Sequence, residues 1–192
     1  TNLIKELKLD LKFLDLGGGF GIRYNEKEKP INLKKYSDSV IKLAKKLKCK
    51  IIFEPGRSIV GDTGILLSKI QYIKKGVKKD FIIIDAGMND FMRPALYDAV
   101  HKIIPIKKSK SKLKGTIEFV GPICESTCKF GSYKNYQRMD ENDFVAITNV
   151  GAYGSSLSSN YNSRPLIAEL LVNKNKLKYI RKKQDLLRLI NS

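Results

Sequence analysis

The chain has 192 residues, 42% of them hydrophobic, and its 37 lysines and arginines outnumber its 19 aspartates and glutamates to give a net charge of +18. This length suits one domain or two small ones and is too short for a complete eight-stranded α/β barrel, which takes about 250 residues. No apolar run approaches the roughly 20 residues of a membrane span, and no apolar signal segment follows residue 1. We therefore expect a cytoplasmic protein that makes no membrane contact.

The positive charge does not form a recognition motif. The lysines are spread over helix faces and loops, with no interleaved aromatic box of the kind that stacks on RNA bases. A solvated surface is favoured over a specific nucleic-acid site, although a charge of +18 attracts polyanions non-specifically.

The cysteines indicate reduced thiols and no metal site. Cys49, Cys124 and Cys128 form neither a CxxC pair nor an even set for disulfides. His101 is the only histidine and lies far along the chain from the cysteines, so no zinc ligand set is evident.

The first sixty residues predict a βαβ unit. A short apolar strand at 11–16 runs into the glycines at 17–19 and 21, and a helix with an apolar stripe follows from about Leu33 to Lys48. A second strand, Lys50 to Glu54, is stopped by Pro55 and Gly56. A strand, a crossover helix and a strand in this order predict two parallel strands.

Residues 61–192 predict a mainly antiparallel β domain. Short β-branched runs at 65–73, 81–85, 116–120, 143–150, 166–172 and 176–181 are separated by Gly, Asn and Asp clusters. Two helices interrupt them, one from Pro94 to about Ile103 and one around Leu186 to Ile190. The lysine- and serine-rich stretch 105–115 is expected to be an exposed loop. A lone βαβ unit leaves both of its edges unpaired, so we expect the chain to be the C-terminal part of something longer.

Groups able to carry chemistry follow both parallel strands. Four glycines in five positions allow backbone N–H groups to approach an anion closely, because no side chain intervenes. Glu54-Pro55-Gly56-Arg57 supplies an acid, a rigid turn and a guanidinium. Parallel strands present functional groups at their carboxyl ends, so both segments should line one site. A plain tight turn and a surface salt bridge are the alternative interpretations.

Three further segments carry candidate groups. Arg93 precedes Pro94 at a helix start, and Tyr97 shares its helix face, which suits two-pronged binding of a carboxylate or a simple Arg–Tyr stack. Cys124 beside Glu125 suits proton donation or ammonium binding, the alternative being a small buried thiol. Tyr153 lies between glycines after a strand, where it is either a ligand contact or the aromatic anchor of a hairpin turn.

Five segments in this order resemble the diaminopimelate decarboxylases, pyridoxal-phosphate enzymes with an alanine-racemase-like barrel. They are DLGGGFG, EPGRSIV, DAGMNDFMRPALYDAVH, GPICES and GAYGSSLSSNYNSRP, and together they cover almost the whole chain. The resemblance implies an α/β plus β fold, in which residues 1–60 are the last segments of a (β/α)8 barrel and residues 61–192 form the C-terminal β domain. It also implies a homodimer with shared active sites that converts meso-2,6-diaminopimelate to L-lysine and CO2.

The resemblance also implies residue roles. Glu54 would pair with the pyridine nitrogen of pyridoxal 5'-phosphate, and Cys124 would be the catalytic proton donor that reaches the neighbouring subunit's site. Glu125 would bind the distal ammonium of the amino-acid substrate. The positions implied for the cofactor are Gly17, Gly18, Gly19, Gly21, Glu54, Gly56, Arg57 and Tyr153. Those implied for the substrate are Arg57, Arg93, Tyr97, Glu125 and Tyr153, which is shared with the cofactor.

The sequence departs from the family in two respects. The family's cofactor-bearing lysine and ring-stacking histidine lie early in the barrel, a region that this sequence lacks. We therefore expect the isolated chain neither to bind the cofactor covalently nor to decarboxylate, and activity to need an N-terminal half. Cys128 stands where the family is expected to have Asp. The alternatives are a decarboxylase of arginine, ornithine or carboxynorspermidine type, whose substrates lack a distal carboxylate, and a noncatalytic remnant that regulates a relative.

Overall fold

Two parallel strands joined by a helix form the first part of the chain. The computed structural model describes residues 2–25 and 28–191, and the chain divides into two units, Thr1–Gly61 and Asp62–Ser192. In the first unit, β1 (Phe13–Asp15) pairs in parallel with β2 (Lys50–Ile52), which confirms the predicted βαβ arrangement. The helices of this unit are α1 (Asn2–Glu6), α2 (Leu33–Leu47) and α3 (Arg57–Val60).

Helix α2 has clear sequence signals at both ends. The Asn32 side chain accepts a hydrogen bond from the Lys35 N–H at 2.9 Å, and Lys48 ends the helix in a left-handed conformation with φ 53°. On its apolar face, the Tyr36 ring lies 4.8 Å from Phe20 and 6.2 Å from Phe53. Phe20 belongs to the glycine-rich loop and Phe53 precedes Glu54, so this face of the helix supports both segments that follow the parallel strands.

A six-stranded mixed sheet forms the centre of the second unit and makes it a mainly β domain. Its order is β5-β8-β3-β4-β6-β7, and all neighbours are antiparallel except β4 and β6. The strands are β3 (Ile65–Lys74), β4 (Asp80–Ile84), β5 (Ile103–Pro105), β6 (Thr116–Val120), β7 (Lys129–Lys134) and β8 (Phe144–Thr148), with a separate hairpin of β9 (Glu169–Asn173) and β10 (Lys176–Arg181). Two helices, α4 (Arg93–Tyr97) and α5 (Leu186–Ile190), and short 3-10 turns complete the unit.

Alternate residues of the central strands form the core. The side chains with the least exposure are mostly β-branched, as expected for a half-buried pleated surface: Ile70, Ile82, Ile84, Ile117, Phe119, Val145 and Ile147. Each contributes about 1.5–3 kcal/mol of transfer free energy when it leaves water. This core fixes the strand register, and the register fixes the positions of the loops at the strand ends.

The predicted helix from Pro94 to Ile103 is wrong beyond Tyr97. Asp98 takes a left-handed conformation with φ 50° and ends α4 after five residues. Ile103 then pairs with Ile147 of β8 and is buried, because pairing with a distant strand overrides the local helical pattern. The C-terminal helix is confirmed at Leu186–Ile190. In the described part of the chain, no helix is long and apolar enough to cross a membrane.

The stretch 105–115 is mostly exposed but is not entirely irregular. Lys112 forms an isolated bridge with Gln137, and the Leu113 N–H donates to the Tyr136 carbonyl at 2.8 Å. Leu113 is half-buried against the core, so one side chain anchors an otherwise lysine-rich loop.

Candidate functional site

The glycine-rich loop lies directly beside the end of β2. The Gly17 N–H donates to the Asp15 carboxylate at 2.7 Å, and the Glu54 N–H donates to the Gly17 carbonyl at 2.9 Å. A Cβ on Gly18 would lie 2.5 Å from the Glu54 carbonyl oxygen, a separation that real side chains do not show. Gly17 and Gly19 have φ of 66° and 82°, which favours glycine. The parallel strands therefore bring the two predicted segments together.

The EPGR turn leaves its charged groups apart from each other. Glu54 is exposed, whereas Arg57 is half-buried as the first residue of α3, with its guanidinium carbon 6.0 Å from the Tyr24 ring centre. Among the described residues, Glu54 and Arg57 form no ion pair with each other, so the alternative of a surface salt bridge at this turn is not observed. A Cβ on Gly21 or Gly56 would meet nothing within 4 Å, so the space beside both positions is open.

A buried arginine is the centre of the candidate site in the second unit. Arg93 is 6% exposed, although it is the first residue of a helix. Its guanidinium carbon lies 5.8 Å from the ring centre of Tyr97 and 5.7 Å from that of Tyr153. The two tyrosines are half exposed or more, so the cation is bordered by two aromatic rings that reach solvent. The structure thus adds Tyr153 to the predicted Arg93–Tyr97 pair.

A strained turn places Tyr153 beside the arginine. Tyr153 has φ of 60°, in the left-handed region, and follows the end of β8. The next residue is the buried Gly154, where a Cβ would lie 2.4 Å from the Val150 carbonyl oxygen. Position 154 therefore has no room for a side chain, and Tyr153 has a strained backbone conformation. Together these two features restrict the direction of the tyrosine side chain.

His101, for which the sequence indicated no role, contacts the buried Arg93. It is fully buried, and its Nδ1 lies 3.0 Å from the Thr148 carbonyl oxygen. The Arg93 Nε–H donates to His101 Nε2 at 3.4 Å, and the Phe91 ring meets the imidazole edge-on at 4.7 Å. Burial, more than the nearby Arg93 charge, lowers the pKa of His101.

Cys124 and Glu125 follow β6 and are both exposed. The Asn162 side-chain amide donates to Cys124 Sγ at 3.6 Å, and the Tyr161 hydroxyl donates to the Glu125 carboxylate at 2.5 Å. This hydrogen bond and the Glu125 charge raise the pKa of Tyr161. The alternative of a small buried thiol does not hold for Cys124, and it describes the buried Cys128 instead.

Backbone hydrogen bonds close the turn between these cysteines. The Cys128 N–H donates to the Glu125 carbonyl at 3.0 Å, and the Gly121 N–H donates to the Cys128 carbonyl at 2.9 Å. Cys128 Sγ accepts from the Met88 N–H at 3.4 Å. A thiol therefore occupies a place where an acid was expected, and the turn retains its hydrogen bonds. No group of three or more His, Cys, Asp or Glu among the described residues could hold a metal ion.

The loop that carries Tyr161 and Asn162 is tied to the core through Arg164. Arg164 Nη2 donates to the Asp85 carbonyl at 2.8 Å and lies 3.8 Å from the Asp90 carboxylate. Burial raises the pKa of Asp90. Tyr161, Asn162 and Arg164 lie in SSNYNSRP and His101 in the RPALYDAVH stretch, so the motifs contain these residues without indicating their partners.

The chain belongs to the pyridoxal-dependent decarboxylases, whose C-terminal sheet domain matches residues 22–151. Within that family it is a homologue of diaminopimelate decarboxylases. It is 45% identical over 180 residues to the enzyme of Helicobacter pylori, covering 94% of this chain and 44% of that protein. It is 42% identical over 176 residues to the enzyme of Aquifex aeolicus, covering 92% of this chain and 42% of that protein.

A solved structure agrees with this assignment. The crystal structure of Helicobacter pylori diaminopimelate decarboxylase complexed with L-lysine matches with a TM-score of 0.85 at 42% identity, covering 99% of this chain and 46% of that chain. The chain thus spans less than half the length of the curated relatives that it matches.

Proposed function

We propose that this chain is the C-terminal part of a pyridoxal-phosphate-dependent enzyme that decarboxylates meso-2,6-diaminopimelate to L-lysine. The single observation that carries the proposal is the buried Arg93 beside Tyr97 and Tyr153. A guanidinium held away from water binds a carboxylate more strongly than an exposed one does, and among the substrates considered only diaminopimelate has a distal carboxylate. The L-lysine bound to the Helicobacter pylori relative is the product that this reaction would release.

The glycine-rich loop and the EPGR turn fit the phosphate end of the cofactor. Gly18 packs closely on Glu54, and the space beside Gly21 and Gly56 is open. We propose that backbone N–H groups of these two segments contact the phosphate anion. When bound, pyridoxal phosphate supplies the electron-withdrawing ring that accepts the electron pair of the breaking C–C bond. In our proposal residues 1–60 are the last segments of the barrel, Gly17, Gly18, Gly19, Gly21, Gly56 and Arg57 hold the phosphate, and Glu54 pairs with the ring nitrogen.

In this proposal, separate residues bind the carboxylate and the ammonium at the distal end of the substrate. Arg93 and Tyr97, with Arg57, bind the distal carboxylate, and Tyr153 contacts both substrate and cofactor. The Glu125 carboxylate binds the distal ammonium while Tyr161 holds its orientation through the 2.5 Å hydrogen bond. An ornithine-like substrate would satisfy Glu125 but would leave Arg93 without an anion.

Cys124 delivers the proton in this proposal. Its thiol is exposed and lies in the loop between β6 and β7, so it can approach a substrate from outside its own unit. The S–H proton passes to the substrate Cα at the position that CO2 leaves, and the Asn162 amide orients the sulfur. We propose that two copies of the enzyme form a dimer in which Cys124 and Glu125 complete the neighbouring subunit's site.

The test joins this chain to the N-terminal barrel portion of the Helicobacter pylori enzyme and measures CO2 release. We expect turnover of meso-diaminopimelate to exceed that of ornithine and arginine by about 100-fold or more, because a site built around a polar group rejects substrates that leave it unpaired. Comparable turnover of ornithine would exclude the proposed substrate. A folded, cofactor-loaded but inactive fusion would support the noncatalytic alternative.

A further inference from the structure

His101 has only one neutral form that fits its surroundings. Its Nδ1 lies 3.0 Å from the Thr148 backbone carbonyl, which can only accept a hydrogen bond. The proton of a neutral ring must therefore be on Nδ1. The other ring nitrogen, Nε2, then presents a lone pair to the Arg93 Nε–H at 3.4 Å.

A protonated ring does not fit the same place. It would direct an Nε2–H at the Arg93 Nε–H and would place a second positive charge beside the guanidinium, both inside the buried core. Among the contacts that the structure describes for His101, the charged or titratable groups are Arg93 and the Tyr133 hydroxyl, which donates to the His101 carbonyl at 3.2 Å. Burial is the largest cause that lowers the pKa of His101, and the Arg93 charge lowers it further.

Packing and backbone hydrogen bonds also restrain the position of the imidazole ring. The Phe91 ring meets it edge-on with centroids 4.7 Å apart and an interplanar angle of 83°. Tyr133 holds the backbone that follows His101, since its hydroxyl donates to the His101 carbonyl and accepts from the Ile103 N–H at 2.8 Å. The acceptor offered to Arg93 therefore has a defined position before any ligand arrives.

We propose that His101 is a positioning residue for the reaction: as the Nδ1–H tautomer it accepts the Arg93 Nε–H and holds the guanidinium plane in the orientation that meets the substrate's distal carboxylate. The link to substrate rests on the proposed function of Arg93, whereas the tautomer and the hydrogen bond do not. An arginine whose plane is already fixed loses less conformational freedom when it binds.

The lone histidine makes the test direct. In the full chain labelled with 15N-histidine, the imidazole gives one set of NMR signals, because the sequence contains one histidine. We expect the Nδ1–H tautomer at neutral pH. An Nε2–H tautomer or a charged ring would overturn the proposal.

Two substitutions separate positioning from packing. His101→Gln keeps an oxygen acceptor near the place of Nε2, whereas His101→Asn keeps a donor near the place of Nδ1 and loses the acceptor. We expect hydrogen exchange of the Arg93 Nε–H, assigned with an Arg93→Lys variant, to be about tenfold faster or more in His101→Asn and within about threefold of the parent in His101→Gln. Circular dichroism identifies the variants that fold, and the wild-type tautomer decides the proposal if either fails to fold. Equal exchange in two folded variants would overturn the proposal.

The substrate link has its own readout in the fused enzyme. We expect His101→Asn to raise KM for meso-diaminopimelate about tenfold, with a smaller effect on kcat, and His101→Gln to restore most of the loss. If the tautomer and the exchange pattern hold but both variants and Arg93→Ala leave KM unchanged, the role of Arg93 in the proposed function is wrong. If Arg93→Ala alone impairs KM, the positioning role of His101 is wrong.

Discussion

Arg93→Ala is the substitution that tests the proposed substrate most directly. It removes a guanidinium that is 6% exposed and bordered by Tyr97 and Tyr153. Leaving one partner of a buried charge pair alone costs about 2–5 kcal/mol, which corresponds to a loss of about 30-fold to several thousand-fold in kcat/KM. The affinity for pyridoxal phosphate should change much less, because the proposed phosphate site lies in the residues before 61.

The same substitution at a surface arginine is the matched control. The Arg138 side chain is 64% exposed and approaches Asp140 only at 3.9 Å, an ion pair worth about 0–1 kcal/mol at most. In the fused enzyme, kcat/KM for meso-diaminopimelate is measured for both variants, and cofactor affinity is measured by absorbance titration. Arg138→Ala should match the parent in both assays.

The stability of Arg93→Ala must be measured on the same samples. The substitution also leaves His101 Nε2 without its Arg93 donor, at a cost of about 1–3 kcal/mol in the free energy of unfolding. Arg93→Lys retains the charge but not the planar fork and should lose most of the substrate preference while remaining folded. A folded Arg93→Ala variant with unchanged kcat/KM would refute the carboxylate role.

Three other predictions concern separate parts of the chain. Cys124→Ala should lower kcat about 100-fold or more with little change in KM, because it removes the proposed proton donor; a rise in KM alone would contradict that role. Gly18→Ala should cost about 1–3 kcal/mol of unfolding free energy, because its Cβ would lie 2.5 Å from the Glu54 carbonyl oxygen. Gly21→Ala is the control, because its Cβ would meet nothing within 4 Å. Equal denaturant midpoints for the two variants would be inconsistent with this packing. Because the pKa of His101 is lowered in the folded chain, the unfolded chain binds a proton first as pH decreases. The contribution of His101 to the free energy of unfolding is therefore full above about pH 6.5 and falls by up to about 1.4 kcal/mol per pH unit below it, until the native histidine also protonates. His101→Gln should remove this pH dependence of the unfolding free energy, and an unchanged slope would rule out His101 as its source.

The first unit was predictable because its sequence signals are local. The Asn32 cap and the glycines after β1 each act within a few residues of their own position. The prediction that both strand ends face one site needed only the parallel pairing, and the register of Phe13 with Lys50 confirms that pairing.

The strands missed in the second unit lack such local signals. Ile103–Pro105 has three residues and a terminal proline, and Lys129–Lys134 mixes lysines and a glycine with two aromatic residues. Their strand structure comes from partners that lie elsewhere in the chain, since β5 pairs with β8 and β7 with β6. Parallel pairing of β4 with β6 also depends on distant contacts, and it is a pairing that the expectation of a mainly antiparallel domain did not locate.

The sequence indicates the candidate residues but not the contacts between them. Arg93 and Tyr97 are four residues apart, so their shared face follows from helix geometry. Tyr153 reaches Arg93 from sixty residues away, and Tyr161 reaches Glu125 from thirty-six, so no local pattern indicates either contact. Both depend on loops whose ends are set by the sheet register.

Two loops of the proposed site hold non-glycine residues in the left-handed backbone region. Tyr153, Asn162 and Ser163 have positive φ of 60°, 59° and 54°, although none is glycine. Such conformations cost about 1–3 kcal/mol each and persist only where surrounding contacts hold them. Here the contacts are the buried Gly154 turn on one side and the Arg164 hydrogen bond to Asp85 on the other. Positive φ also occurs elsewhere, for example at the helix ends Lys48 and Asp98. What distinguishes these two loops is that they carry the tyrosines beside Arg93 and Glu125, the groups that we propose to bind the substrate.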